Sequence, residues 1–179
     1  PDWVNSSLSR WGGNIEDRNH GITELYMPVV SDGPATDLID RGAGNSDSYE
    51  HQAGLKFIDD QALYQQLDGT WLDVTSSLIT SGVISDGNFH DGREGADVNS
   101  LDIDIGALAS SGYYPSNGVI YSSQPQSHGY VMALRLINGS DLPAGLTVAT
   151  DNPMYTLGNF NTVNKKPASL MADAITILS

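Results

Sequence analysis

Val119-Ile120-Tyr121, Leu146-Thr147-Val148 and Ile175-Thr176-Ile177 are the stretches on which the fold of this chain turns. They are short β-branched runs spaced 27 and 29 residues apart, and two further runs, Ala133-Leu134-Arg135-Leu136-Ile137 and Met154-Tyr155-Thr156-Leu157, fall between them 21 residues apart. Short strands at a nearly fixed period, with Asn117-Gly118 and Asn138-Gly139 at corners, predict rungs stacked in parallel, because one rung cannot bury its inward face alone. The first three runs are therefore expected to be parallel neighbours in one sheet. The fold class this predicts is mainly β, a parallel β-helix or solenoid-like part from about residue 117. The unequal spacing leaves a β-sandwich as the alternative, since that fold also needs many short strands closed by frequent turns.

Upstream of the corner at 117 the pattern changes. Leu55-Lys56-Phe57-Ile58, Asp59-Asp60 and Ala62-Leu63-Tyr64 read as two strands about a tight turn, and Asp68-Gly69 leads into Trp71-Leu72-Asp73-Val74. This is an antiparallel β-meander, with Trp71 and, one step out of register, Val74 facing a core. Leu101, Ile103 and Ile105 alternate with Asp102 and Asp104, the period of a half-buried strand, and the strand is expected to run into a short turn of helix near Ala107-Leu108. Residues 1–50 read as a loosely structured N-terminal segment anchored by Trp3 and Trp11, with one helical turn over 35–40, and residues 51–179 as the β-rich domain. The start at Pro1 suggests a processed or excised piece of a longer precursor.

Composition points the same way. The chain has 179 residues, enough for one domain or two small ones. Its 22 acids are 18 Asp and 4 Glu, beside 20 Ser, 19 Gly and 12 Asn, all residues of turns rather than helix interiors, and only 3 Lys. The net charge of -14 repels phosphate backbones and anionic headgroups, which argues against nucleic acid and membrane-surface partners. No stretch has the length of apolar sequence that a membrane span needs. The absence of cysteine excludes disulfides, thiolate metal sites and cysteine nucleophiles.

No nucleophile elbow, phosphate loop or dinucleotide fingerprint occurs, and His20, His51, His90 and His128 lack zinc spacing, so no catalytic residue and no cofactor is assigned. The stretch from Asp91 to Asp102 has an Asn-Ser-x-Asp ending like some calcium loops. Arg93, Gly95 and Ala96 stand at its positions 3, 5 and 6, where an EF-hand loop needs two oxygen ligands and a glycine. What remains for calcium is an irregular site drawn from Asp86, Asp91, Asp97 or Asp102. Asp102 and Asp104 share a strand face, and on so Asp-rich a chain they read as solvating groups rather than an acid/base pair. Tyr113, Tyr114, Tyr121 and Tyr130 lie in a Ser/Pro/Gln-rich region and make the candidate binding face, able to stack on sugars or pack on a partner protein. Their alternative place is a ladder within the core.

Several stretches carry a family likeness: Trp11-Gly-Gly-Asn-Ile-Glu-Asp-Arg-Asn-His-Gly-Ile, Phe89-His-Asp-Gly-Arg-Glu-Gly with Asp102-Ile-Asp-Ile, Ala133-Leu-Arg-Leu-Ile-Asn-Gly, and most fully Gly145 to Thr162 with Lys166 to Ser179. In them the chain resembles the exported β-rich region of type IV pilus-assembly accessory proteins of Gram-negative bacteria, the prepilin-like or minor-pilin type. The resemblance implies a non-enzymatic structural or surface-interaction domain, extracellular or on the bacterial cell surface, whose partners are other pilus or cell-surface subunits or surface glycans. The alternatives are a carbohydrate- or calcium-binding adhesin module, and an acidic-polysaccharide-active β-helix enzyme.

Overall fold

A computed structural model describes residues 35–42, 44–126 and 130–178. The chain divides into units 1–32 and 33–179, and every described residue belongs to the second. Trp3 and Trp11 lie outside the described residues. A 3-10 turn, Ala35–Leu38, falls where one helical turn was expected, and helix α1, Tyr49–Gln52, follows, capped by the Ser48 hydroxyl.

The unit is mainly β, two mixed sheets enclosing one core. Strands β1 (Leu55–Ile58), β2 (Gln61–Gln65) and β3 (Trp71–Asp73) form the expected antiparallel meander. Its turns follow from local chemistry. Asp59 takes a positive φ between β1 and β2, and the Asp68 carboxylate accepts from the Thr70 amide and hydroxyl at 2.9 and 2.7 Å beside Gly69. Val74 is buried, as expected, whereas Trp71 is exposed on a strand whose three residues all face water. The Trp71 ring is occupied instead by the Lys56 ammonium, 4.5 Å from its centroid.

Helix α2 (Thr75–Thr80) drives Leu78 into the core, and the chain then crosses to the second sheet as the hairpin β4 (Ile84–Asp91) and β5 (Ala96–Asp104). Strand β5 runs straight into helix α3 (Ile105–Ser110), the expected strand-to-helix passage. The Asp104 carboxylate caps that helix by accepting from the Ala107 amide at 2.8 Å.

From there the chain alternates between the sheets: β6 (Val119–Ser123), β7 (Val131–Ile137), β8 (Leu146–Thr150), β9 (Met154–Leu157), β10 (Ala168–Met171) and β11 (Ile175–Leu178). The first sheet has the order β10-β8-β6-β1-β2-β3 and the second β11-β9-β7-β5-β4. All pairings from β1 to β10 through β6 and β8, and from β5 to β11 through β7 and β9, are parallel.

One expectation fails here. The runs at 119 and 146 are parallel neighbours, Val119 opposite Thr147, but 175–177 lies in the other sheet, Ile175 opposite Met154. The strand that follows 146–150 in its own sheet is Ala168–Met171. That segment has no β-branched residue, so it gave no strand signal, while the corner from Ala172 to Ala174 turns the chain across.

Leu55, Phe57, Ile120, Leu146 and Val148 of the first sheet meet Ile103, Leu134, Leu136 and Met154 of the second to form the main core. Each sheet is also covered on its outer face. Ile39, Tyr49 and Ala53 pack over Tyr121 and Ala149 on one, and Phe89, Val98, Ala133 and Tyr155 form a layer on the other. No helix of the described residues is long and apolar enough to cross a membrane.

Candidate functional site

The turns entering β6, β8 and β10 stack on one another along one side of the first sheet. Thr147 donates its amide to the Gly118 carbonyl at 2.7 Å, and Leu146 donates to that of Pro167 at 3.0 Å. Gly118 has φ +68, and a Cβ there would collide with the Gly145 carbonyl oxygen, so this corner requires glycine. Asn117 fixes the same corner from outside, donating to the Gln52 carbonyl at 2.8 Å and accepting from the Val119 amide at 3.1 Å.

Across these turns runs an open groove of about 630 Å³ whose lining includes Tyr114, Asn117, Gly118, Gly145, Thr147 and Ser169. The Tyr114 hydroxyl donates to the Gly145 carbonyl at 3.2 Å, which lays the ring against the groove, and burial pushes its pKa up, so it stays a neutral phenol. Among the described residues, no charged side chain lines this groove. On a chain of net charge -14 the groove is an uncharged strip in which the Tyr114 phenol, hydroxyls and an amide stand among Pro115, Ala144, Pro167 and Ala168.

A second depression, about 570 Å³, lies between the β1–β2 turn, α2 and β4. Phe57, Ile84 and Leu101 are among its apolar lining, and Asp59, Asp60 and Asp86 are its acids. Asp59 is already committed, accepting from Arg41 Nη1 and Nη2 at 2.6 and 2.9 Å, and that bonding holds its carboxyl below the usual range.

The four tyrosines do not share a face. Tyr114 lies in the groove. Tyr113 packs edge-on to Tyr64, centroids 5.6 Å apart, against the core. Tyr121 is fully buried and donates to the Ile39 carbonyl at 2.9 Å, so it is removed from the binding face. The outer side of the first sheet, where alternation puts Tyr121, is itself covered by Ile39, Tyr49 and Ala53. Tyr130 is half exposed beside β7, in the other sheet.

Nor does the structure bring Asp86, Asp91, Asp97 and Asp102 together. Asp97 sits beside His90, Nδ1 to Oδ1 2.8 Å, both well exposed. Asp91 accepts from the Tyr155 hydroxyl at 2.8 Å and from the Arg93 amide at 2.9 Å, and those bonds hold its carboxyl below the usual range. Asp102 is buried and paired with Arg135, which donates Nε to Oδ1 at 2.9 Å and Nη2 to Oδ2. Asp86 alone faces the acidic depression. No group of three or more potential metal ligands occurs among the described residues.

Sequence reasoning missed the network around Arg135. Its guanidinium lies 4.9 Å from the Phe89 ring, Phe89 meets Tyr155 edge-on at 4.9 Å, and Ser100 donates to Asp102 at 2.6 Å. Gly87 makes room for it, since a Cβ there would strike Ser100, Asp102 and Arg135. The available signal was one lone charge in each of two apolar runs, Arg135 within 133–137 and Asp102 between Leu101 and Ile103. No family model, curated protein or solved structure matches this chain.

Proposed function

We propose that this chain is a non-enzymatic surface-recognition domain whose ligand is a neutral saccharide chain lying in the groove across the stacked turns. The observation that carries the reading is the uncharged lining of that groove on a strongly acidic protein. Acidic polysaccharides, phosphates and anionic lipids are repelled by the surrounding charge, whereas a neutral sugar meets the Tyr114 ring, the Asn117 amide and the Thr147 and Ser169 hydroxyls. The groove is open and crosses three turns, the shape for an extended chain rather than an enclosed small molecule.

The alternation of β6 to β11 between two parallel-paired sheets supports reading this body as a short parallel β-solenoid, the architecture that gives such a groove its repeat. An exported domain of a pilus-associated or other cell-surface protein fits this use, and the resemblance to pilus-assembly accessory proteins supports it. Titration with neutral hexose and N-acetylhexosamine oligomers, with and without calcium, tests it. The expected result is saturable perturbation of Tyr114, Asn117 and Ser169 resonances that Tyr114→Ala weakens while leaving the fold intact. Binding that ignores Tyr114→Ala, or release of new reducing ends from the oligomers, overturns it.

A further inference from the structure

Strand β6 runs from Gly118 in the groove to Gln124 in the second depression, and the two cavities share no lining residue. The floor of the second is apolar and drawn from both sheets and a helix: Phe57, Ile84, Leu101, Met132 and, from α2, Ile79. Register explains one acid on its wall. Ile84 opposes Ile103, so alternation sets Asp86, opposite Leu101, on the same core-facing side of β4. A carboxylate therefore stands over apolar surface, and Asp60 adds a second from the β1–β2 turn. Alternation along β6 also puts Ser122, opposite Phe57, between Ile120 of the core and Gln124 of the wall. Its hydroxyl is buried with no hydrogen-bond partner among the described residues, a rare condition in folded interiors.

Most donors of the wall are already engaged. Thr75 donates its hydroxyl to Asp73 and Ser100 to Asp102, each at 2.6 Å, and the Gln124 amide nitrogen donates to the Phe57 carbonyl at 3.4 Å. Asp59 is taken by Arg41, whereas Asp60 and Asp86 enter no ion pair among the described residues. No lysine, arginine or histidine of the described residues lines the depression. From this we propose that it binds a small organic cation, an ammonium or guanidinium head met by Asp60 and Asp86 on an aryl or alkyl body that covers Phe57, Leu101 and Met132. Its volume of about 570 Å³ suits a small molecule, and the net charge of -14 gathers cations at its mouth. A bare metal ion leaves the apolar floor wet and finds no group of three ligands among the described residues. A neutral or anionic molecule of the same shape desolvates the carboxylates and gives them no cation in return.

The probe is phenethylammonium, titrated into the 179-residue chain while the Met132 and Ile84 methyl resonances are followed. Phenethyl alcohol and hydrocinnamate are its neutral and anionic counterparts, and methylammonium is the head without the body. The expected result is a saturable shift with phenethylammonium, at least about tenfold weaker binding of the alcohol and of methylammonium, and none of hydrocinnamate. Asp86→Asn and Asp60→Asn should each weaken phenethylammonium about tenfold while keeping the parent's circular dichroism, since both side chains are exposed. Asp97→Asn removes an equal charge outside the depression and should change binding less than about twofold. Tyr114→Ala, in the groove, should leave it unchanged, so this site and the saccharide groove succeed or fail separately. No saturable shift, equal binding of the alcohol, or a loss with Asp97→Asn as large as with Asp86→Asn overturns the inference.

Discussion

The two ends of the sheet pair are built on opposite rules. At one end β3 is three residues long, Lys56 sits over Trp71, and the Asp73 carboxylate ties down Thr75 through bonds of 3.0 and 2.6 Å to its amide and hydroxyl. Helix α2 packs on β2 and β4 there and seals the core with Leu78. At the other end two uncharged strands finish with their inward residues in water. A stack of strands needs a cap wherever it meets solvent. Antiparallel hairpins and a helix cover the core at the β3–β4 edge, whereas Ile175 and Ile177 are exposed on the β11 edge.

Substitutions sharpen that contrast. The largest effect is expected where the capping hairpin joins the parallel strands, at the buried Arg135–Asp102 pair. Arg135→Ala leaves a buried carboxylate without its cation and should cost about 3–5 kcal/mol in urea unfolding. A loss below about 1 kcal/mol would mean that the pair is hydrated and does not hold the junction. Next comes the plug itself. Leu78→Ala in the sealed core should cost about 3 kcal/mol, whereas Ile177→Ala on the exposed β11 edge should cost less than about 0.5 kcal/mol. Equal losses would erase the distinction between the ends.

Raising the pH probes the outer layer of the second sheet, between the ends. Burial, reinforced by the bond to Asp91, pushes the Tyr155 hydroxyl up to about 12 from its ordinary 10.0. A raised folded-state value means that its stabilisation is complete below pH 10 and is lost as pH climbs toward 12. Thermal melts across that window should fall for the parent and fall less for Tyr155→Phe. Identical pH slopes would remove Tyr155 from the alkaline transition.

The smallest expected effect is a gain. Asp151 is pushed up by burial, its Oδ2 accepts from Ser123 at 2.9 Å, and its Oδ1 is buried with no partner among the described residues. Asp151→Asn keeps an acceptor for Ser123 and removes the buried charge, so stability at pH 7 should rise by about 1 kcal/mol. The gain should shrink as pH falls, because the parent carboxyl is then protonated. A destabilised variant would show that the charge has a partner.

How much of this was legible in the sequence follows from the range of each signal. The meander, the Asp-rich turns and the passage of β5 into α3 are local, fixed by alternation and capping within a few residues. The neighbour of β8 was misjudged because Ala168-Ser169-Leu170-Met171 borrows its strand geometry from the strand beside it rather than from β-branching. Tyr121 was misplaced for a longer-range reason. Its outward direction is readable from alternation, but its burial depends on residues 39–53, some seventy to eighty positions earlier. The groove was half visible: Asn117-Gly118 announced a corner, while the alignment of Gly145 and Pro167 with it exists only once the strands are paired.

The pairing of Leu55 with Ile120 has a consequence for the order of events as the chain is made. Strand β1 finds its antiparallel partner within a few residues, but its other edge waits for β6, and closing so long a loop is slow compared with forming the hairpins. Each later strand docks on one laid down 20 to 33 residues before it, as Met154 does on Leu134 and Val131 on Val98. Assembly is therefore a slow seeding step followed by fast zippering toward the C-terminus. The dangerous interval falls before Ile120 arrives, when a nascent chain holds out an unclaimed β1 edge to any strand that passes.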